Sequence, residues 1–242
     1  MSDRVVKVPD RLAPLLRSIG RIADGLGLPA YAVGGCVRDW QLGSPDRTDV
    51  DVTVEGDGIG VARAVARAFG GTVRAHPQFG TATVTLGSRR VDFATCRRES
   101  YAKPAAYPTV TPGTLEDDLF RRDFTINAMA VALSSARFGL LVDPFHGAED
   151  LDRRRLRMLH ERSFLDDPSR ILRGIRFAER FTLRWELRTA RALREAMTGG
   201  VLGRLNAGRL RKELDRMLDE PDPSACLQRF AACLTGASSG RP

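Results

Sequence analysis

The chain has 242 residues, 43% of them hydrophobic and 28% charged, with a formal net charge of +8 and a pI of about 10.0. That length and apolar content support one large domain or two small ones and exclude a disordered chain, while the basic excess points to a polyanionic partner such as nucleic acid or nucleotide phosphate. Leu12, Leu15, Leu16, Ile19, Ile22, Ala23 and Leu26 recur at helical spacing, and Gly25, Gly27 and Pro29 end that helix. A strand over Ala30 to Val33 follows, then Gly34 and Gly35, a short helix from Cys36 to Leu42, a polar turn from Gly43 to Thr48 and a strand from Asp49 to Val54. Next come a helix from Ile59 to Phe69 and three strand-like runs, "GTVRA", "TATVTL" and "RRVDFAT". Arg97 to Gly113 reads as loop, punctuated by Pro104, Pro108 and Pro112, and "TLEDDLFRRDFTINAMAVAL" reads as helical.

After "LLVDPFHG" the strand pattern stops, and helices are expected over Pro168 to Arg180, Glu186 to Met197, Ala207 to Leu218 and near Ser224 to Leu234. The expected fold class is therefore α+β, with an α/β head over residues 1–146, an all-α neck over 147–234 and a disordered tail over 235–242. Residues 1–146 hold 18 basic against 16 acidic side chains, and residues 147–220 hold 18 against 13, so the helical part is the more basic surface.

The four cysteines, Cys36, Cys96, Cys226 and Cys233, form no CxxC pair, and the histidines His76, His146 and His160 lie far apart. Neither a zinc site nor a disulfide framework is expected, and a reducing, cytoplasmic setting fits. No run of about 18 apolar residues and no cleavable leader pattern occur, so no membrane partner is expected.

The chemistry concentrates in "GGCVRDWQLGSPDRTDVDV". Alternation along a strand puts Asp49 and Asp51 on one face, where two neighbouring carboxylates repel unless a divalent cation, most suitably Mg²⁺ shared with substrate phosphates, lies between them. Upstream, Gly34 and Gly35 open a helix whose free N–H groups attract phosphate, and Arg38 lies on the same side of that helix. Each piece alone has a plain structural explanation: an edge strand, a turn, a solvated arginine. In "DDPSRILRGIRFAER", Pro168 suits the first helical position and makes Asp167 the natural N-cap, while Arg170, Arg173 and Arg176 recur every three residues as a basic stripe.

Together, "GGCVRDWQLG", the DxD pair, "RRDFTINAMA" (121–130), "DPFHGAEDL" (143–151) and "DDPSRILRGIRFA" (166–178) resemble, in order, the motifs of class II tRNA nucleotidyltransferases and bacterial poly(A) polymerases, within the polymerase-β-like nucleotidyltransferases. The resemblance covers residues 30 to 220, the family's head and neck. It implies that Asp49 and Asp51 hold catalytic Mg²⁺, that Gly34, Gly35 and Arg38 hold the triphosphate, and that Arg122 and Asp123 contact nucleotide and ribose. It also implies that Asp167 and Arg170 form a template reading the base edge, with Arg173 and Arg176 supporting it, and that "DPFHG" is the hinge between head and neck. The family's acidic pair here is Asp166 and Asp167, an Asp standing where a Glu is usual. Asp92 is a candidate third catalytic carboxylate.

The implied reaction is in-line attack by an RNA 3′ hydroxyl, in the family's terms foremost the CCA end of tRNA, on the α-phosphate of ATP or CTP. "EGDGIGVARAVARAFGG" fails as a dinucleotide fingerprint, because Val61 or Arg63 stands where the third glycine belongs. The remaining alternatives are poly(A) addition to other RNAs, a non-catalytic RNA-binding relative and transfer to a small acceptor. Family members usually continue into body and tail domains, so the chain is expected to be a short form, a fragment or one component whose partner chain supplies those functions.

Overall fold

The computed structural model describes residues 4–44 and 49–235. Most of the expected turn before Asp49, and all of the tail expected to be disordered except Thr235, which ends the last helix, therefore lie outside the described residues. The chain forms two compact units: Met1–Glu99 with Val110–Arg122 and Ile126–Ala148, and Ser100–Thr109 with Asp123–Thr125 and Glu149–Pro242.

In the first unit, α1 (Ala13–Gly25) leads to β1 (Ala30–Val33), α2 (Gly35–Gln41), β2 (Val50–Val54) and α3 (Gly58–Phe69). Then come β3 (Thr72–His76), β4 (Thr81–Leu86), β5 (Arg89–Thr95), β6 (Arg97–Ser100), β7 (Thr109–Pro112), α4 (Leu115–Phe120), β8 (Ala130–Ala132) and β9 (Leu141–Val142). Seven strands make one sheet in the order β3-β4-β5-β2-β1-β8-β9, antiparallel except for the β2–β5 pair. Helix α1 buries Leu16 and Ile19, and α3 buries Val61 and Val65, in the core that also takes Val52 and Phe93 from the sheet. The Asp57 side chain caps α3 by accepting the Gly60 N–H at 2.8 Å, and Gly70 closes it in the left-handed conformation.

Two stretches depart from expectation. The 97–113 loop contains a two-stranded ribbon of β6 and β7. The expected helix over "TLEDDLFRRDFTINAMAVAL" is α-helical only at α4, with a 3-10 turn at Thr125–Asn127, and Ala130–Ala132 becomes a fully buried strand between β1 and β9. A short, wholly apolar run carries no period that separates a buried strand from a buried helix, and sheet pairing decides between them.

The second unit contains α5 (Gly147–Asp152, beginning in the first), β10 (Arg155–Leu156), α6 (Ser163–Asp166), α7 (Ser169–Arg180), β11 (Arg184–Trp185), α8 (Leu187–Thr198), α9 (Ala207–Leu218) and α10 (Pro223–Thr235). Phe124 explains why its short segment joins this unit. Its ring lies 6.2 Å from Phe177 and 6.1 Å from Trp185, both edge-on, and 6.4 Å from Phe164. Gly174 makes room for this cluster, since a Cβ there would stand 2.3 Å from Trp185 and 2.7 Å from Phe124. The 100–109 segment is tied in by the Ala105 N–H, which donates to the Leu165 carbonyl at 2.9 Å.

Candidate active site

Along β2, Val50, Val52 and Val54 turn into the core, which leaves Asp51 and Thr53 on the opposite face. Asp49 is exposed one residue before the strand. Because β5 runs parallel to β2 with Asp92 in register with Asp51, the two carboxylates project from the same side of neighbouring strands. Asp92 Oδ1 accepts from Thr83 Oγ1 at 2.5 Å and from Arg90 Nε and Nη2 at 3.2 and 3.1 Å. The sequence gives no sign of this arginine and threonine partnership, which depends on the β4–β5 register.

Solvent reaches Asp51, yet the surrounding protein desolvates its carboxyl and pushes its pKa above the usual carboxylate range. Arg122 opposes that rise, while Asp92 and Asp49 add to it. A cavity of about 440 Å³ opens over this face, lined by Asp51, Thr83, Arg90, Asp92, Arg121 and Arg122 among others.

The corner between β1 and α2 shapes the cation beside these acids. Gly34 adopts φ 76° and ψ −129°, and a Cβ there would stand 2.5 Å from Arg122 Nη1. Glycine therefore serves both the backbone turn and the approach of the guanidinium. The Gly34 N–H donates to the Met129 carbonyl at 3.1 Å, and Gly35 begins α2.

Arg38, expected to hold the triphosphate, lies inside the protein. It is 2% exposed, its Nε and Nη2 donate to Asp39 Oδ1 at 2.9 and 2.7 Å, and its Nη1 donates to Asn127 Oδ1 at 2.5 Å. Its charge is paired inside the protein, where it ties α2 to the "RRDFTINA" segment.

Arg122 is held from α4. Thr114 and Asp117 form a capping box at the start of that helix, and Asp118, fully buried, faces two arginines. Asp118 Oδ1 accepts from Arg121 Nε and Nη2 at 2.9 and 2.7 Å, and Oδ2 accepts from Arg122 Nη2 at 3.0 Å. Burial pushes the Asp118 carboxyl up, but Arg122 and Arg121 more than offset it and hold it below the usual range. Sequence reasoning missed Asp118 and Asn127, although Asp118 stands three and four residues before the two arginines, the helical spacing for such pairs.

The second unit holds the other expected residues. Asp123 Oδ2 accepts from Arg173 Nε at 2.8 Å and Nη2 at 2.5 Å, and its Oδ1 accepts the Phe124 N–H at 2.8 Å. Asp123 is the foremost influence holding the Arg173 pKa above its ordinary value. Asp167 does cap its helix: Oδ1 accepts the Ser169 N–H at 3.0 Å and Ser169 Oγ at 2.6 Å.

The expected basic stripe is not a solvated one. Arg170 is buried, donating from Nη1 to Ser163 Oγ at 2.8 Å beside His160, and Arg176 is buried against Glu220 at 2.9 Å. Only Arg173 of the three is half-exposed. Three-residue steps drift around a helix, so the three guanidiniums meet different neighbours. Asp166 is buried and pairs with Arg162 at 3.5 Å.

Among the described residues, no three His, Cys, Asp or Glu side chains form a cation cage. The hard oxygen donors of Asp49 and Asp51, on a face where Asp51 is strained by desolvation and like charge, fit a divalent ion completed by substrate phosphates. The four cysteines are free, and no described helix is long and apolar enough to cross a membrane.

Comparison with known proteins gives this geometry a context. The family model described as "Poly A polymerase head domain" matches residues 30–157. An A-adding tRNA nucleotidyltransferase of Halalkalibacterium halodurans is 44% identical over 89% of the chain and 51% of the relative. A CC-adding tRNA nucleotidyltransferase of Deinococcus radiodurans is 42% identical over 79% of the chain and 50% of the relative. The chain thus spans about half the length of these curated relatives. A solved CCA-adding enzyme in complex with ATP superposes with a TM-score of 0.87 at 36% identity, over 98% of this chain and 57% of that one. The Thermotoga maritima CCA-adding enzyme complexed with tRNA superposes at 0.84 with 39% identity, over 96% and 55%.

Proposed function

Because the chain belongs to the poly(A) polymerase head-domain family, we propose that it is a template-independent RNA nucleotidyltransferase that adds AMP or CMP to an RNA 3′ end, foremost the CCA end of tRNA. The observation that carries this reading is the in-register pair of Asp51 and Asp92, with Asp49 adjoining and Arg122 lining the same cavity. Carboxylate oxygens that can hold a divalent cation, beside a guanidinium, suit a nucleoside triphosphate better than a neutral ligand.

In this reading Asp49 and Asp51 hold Mg²⁺ jointly with the substrate phosphates. When bound, the ion stabilises the charge developing on the attacking and departing oxygens. The RNA 3′ oxygen bonds to the α-phosphorus of ATP or CTP, the bond to the β-phosphate oxygen breaks, and pyrophosphate leaves with that electron pair. Asp92 receives the proton of the attacking hydroxyl. Arg122 binds the triphosphate at the corner that Gly34 and Gly35 open, and Arg38 supports that corner from within. In the second unit, Asp123 shapes the ribose contact, Asp167 and Arg170 read the base edge, and Arg173 and Arg176 hold the surrounding helix.

A carboxylate accepts from the exocyclic amine that adenine and cytosine both carry, and a guanidinium donates to a ring acceptor. ATP is taken as the favoured donor, because the A-adding relatives are 42–46% identical to the chain and the CC-adding ones 36–42%. The setting is cytoplasmic, where tRNA and nucleotides are found. A partner chain supplying body and tail functions belongs to the same proposal, since the relatives extend well beyond the matched region.

The test is to incubate the purified chain with Mg²⁺ and tRNAs ending before C, CC or A, each with labelled ATP or CTP. One AMP added to tRNA ending in CC supports the A-adding form. Long AMP tracts on unrelated RNA would favour poly(A) addition, and incorporation of neither nucleotide on any primer would contradict the proposal.

A further inference from the structure

Asp167 is held by donors from two elements, and all of them meet at one oxygen. Oδ1 accepts the Ser169 N–H at 3.0 Å and Ser169 Oγ at 2.6 Å, and Arg209 Nη2 from α9 reaches the same atom at 2.5 Å. The carboxylate torsion of an aspartate is a broad two-fold rotor, and because both oxygens turn on one Cβ–Cγ bond, every donor that holds Oδ1 also fixes where Oδ2 points. A third donor, from another helix, adds to the resistance against that rotation. The Oδ2 atom takes no part in these three contacts, and the side chain keeps 19% of its surface exposed.

Arg209 is itself supported. It is 26% exposed, its guanidinium carbon stands 5.9 Å from the ring centroid of Tyr107, and its helix begins at Asn206, whose Oδ1 accepts the Gly208 N–H at 2.9 Å. Tyr107 is 75% exposed on the 100–109 segment that belongs to this unit. Tyr107, Arg209 and Asp167 thus form a row running from an exposed aromatic ring to the capped carboxylate. A planar guanidinium suits both ends of that row, whereas an ammonium offers neither a flat face nor a rigid fork.

We propose that Arg209 is a positioning residue for nucleotide choice: it pins Asp167 through Oδ1 so that Oδ2 is presented in one orientation to the amino group of the incoming base. This rests on the reading of Asp167 as the acceptor of the base edge. An ionised carboxylate only accepts, so a fixed Oδ2 favours adenine and cytosine, which offer an amine there, and opposes guanine and uracil, which offer a carbonyl. A carboxylate free to turn tolerates the wrong edge through an intervening water.

The experiment uses the 242-residue chain with a tRNA primer and compares incorporation from ATP and CTP with that from GTP and UTP, alongside melting temperature. The variants are Arg209→Ala, Arg209→Lys, Asp167→Asn and the double Asp167→Asn/Arg209→Ala. Arg209→Ala should lower discrimination by about tenfold or more, the scale of one charge-assisted hydrogen bond. Arg209→Lys should recover only part of it, and the double variant should discriminate no worse than Asp167→Asn alone, as coupled residues do. If Arg209→Ala melts early, Arg209→Lys carries the comparison, because charge and fold are kept while the fork is lost. Wild-type discrimination in both Arg209 variants, with discrimination lost in Asp167→Asn, would overturn the role of Arg209. Wild-type discrimination in Asp167→Asn as well would overturn the reading of Asp167 on which it rests.

Discussion

At the scale of single residues, Arg38 and Arg122 show how one residue type serves opposite ends. Arg38 is enclosed with Asp39 and Asn127, whereas Arg122 is anchored by Asp118 and lines the cavity with Asp51. Arg38→Ala should therefore destabilise the fold by about 3–5 kcal/mol, since it strands a buried acid. Arg122→Ala should weaken ATP binding by about tenfold or more, with a smaller stability loss. Thermal melts beside ATP titrations of both variants check this contrast. Asp51 makes a pH-dependent prediction. Its folded pKa is raised, so the folded state binds that proton more tightly than the unfolded chain, and its ionised form opposes folding above the raised value. Asp51→Asn should raise the melting temperature near pH 7.5, and the gain should shrink as pH falls through the Asp51 pKa toward the ordinary value of about 3.8. A constant difference across that range in paired melts would contradict the desolvation account. The strand that carries Asp51 was legible because a strand's period is two, but the burial of Arg38 was not, since its partner Asn127 lies 89 residues away.

At the scale of elements, strands with polar boundaries were readable and wholly apolar ones were not. "DVDVTV" announces a strand by alternation, whereas Ala130–Ala132 owes its state to pairing with β1 and β9. The β6–β7 ribbon was hidden by prolines that sit at or beyond strand ends, where no ladder hydrogen bond is demanded of them. The turn from β1 into α2 gives an element-level test. Gly34→Ala places a Cβ at φ 76° and 2.5 Å from Arg122 Nη1, so backbone strain of roughly 1–3 kcal/mol should accompany displacement of that guanidinium. The expected result is a raised KM for ATP together with a lowered melting temperature. An unchanged KM would separate the turn from the nucleotide. Asp167 shows a cap and a candidate template on one side chain. Asn caps about as well as Asp, so Asp167→Asn should keep the melting temperature within a few degrees while changing discrimination among the four nucleotides. Wild-type preference in that variant would return Asp167 to its capping role alone.

At the scale of the whole molecule, the chain carries an α/β unit with the clustered acids and a helical unit with the Asp123–Arg173 pair and the Asp167 cap. The assignment of Asp123–Thr125 to the helical unit was not readable from the local sequence pattern. That assignment follows from the aromatic cluster around Phe124, whose members are scattered as far as Trp185. Phe124→Ala should destabilise the helical unit by about 3–5 kcal/mol, readable as an earlier melting transition. The central claim is that the acids of β2 carry nucleotide transfer to RNA. It is tested most directly by the initial rate of labelled AMP incorporation into tRNA ending in CC, with Mg²⁺, by the wild-type chain and by Asp49→Asn and Asp51→Asn of confirmed fold. The account predicts incorporation by the wild type and a loss of at least about a hundredfold in each variant, as removal of a charge-stabilising group from an active site produces. Retention of most of the wild-type rate by both variants would contradict it.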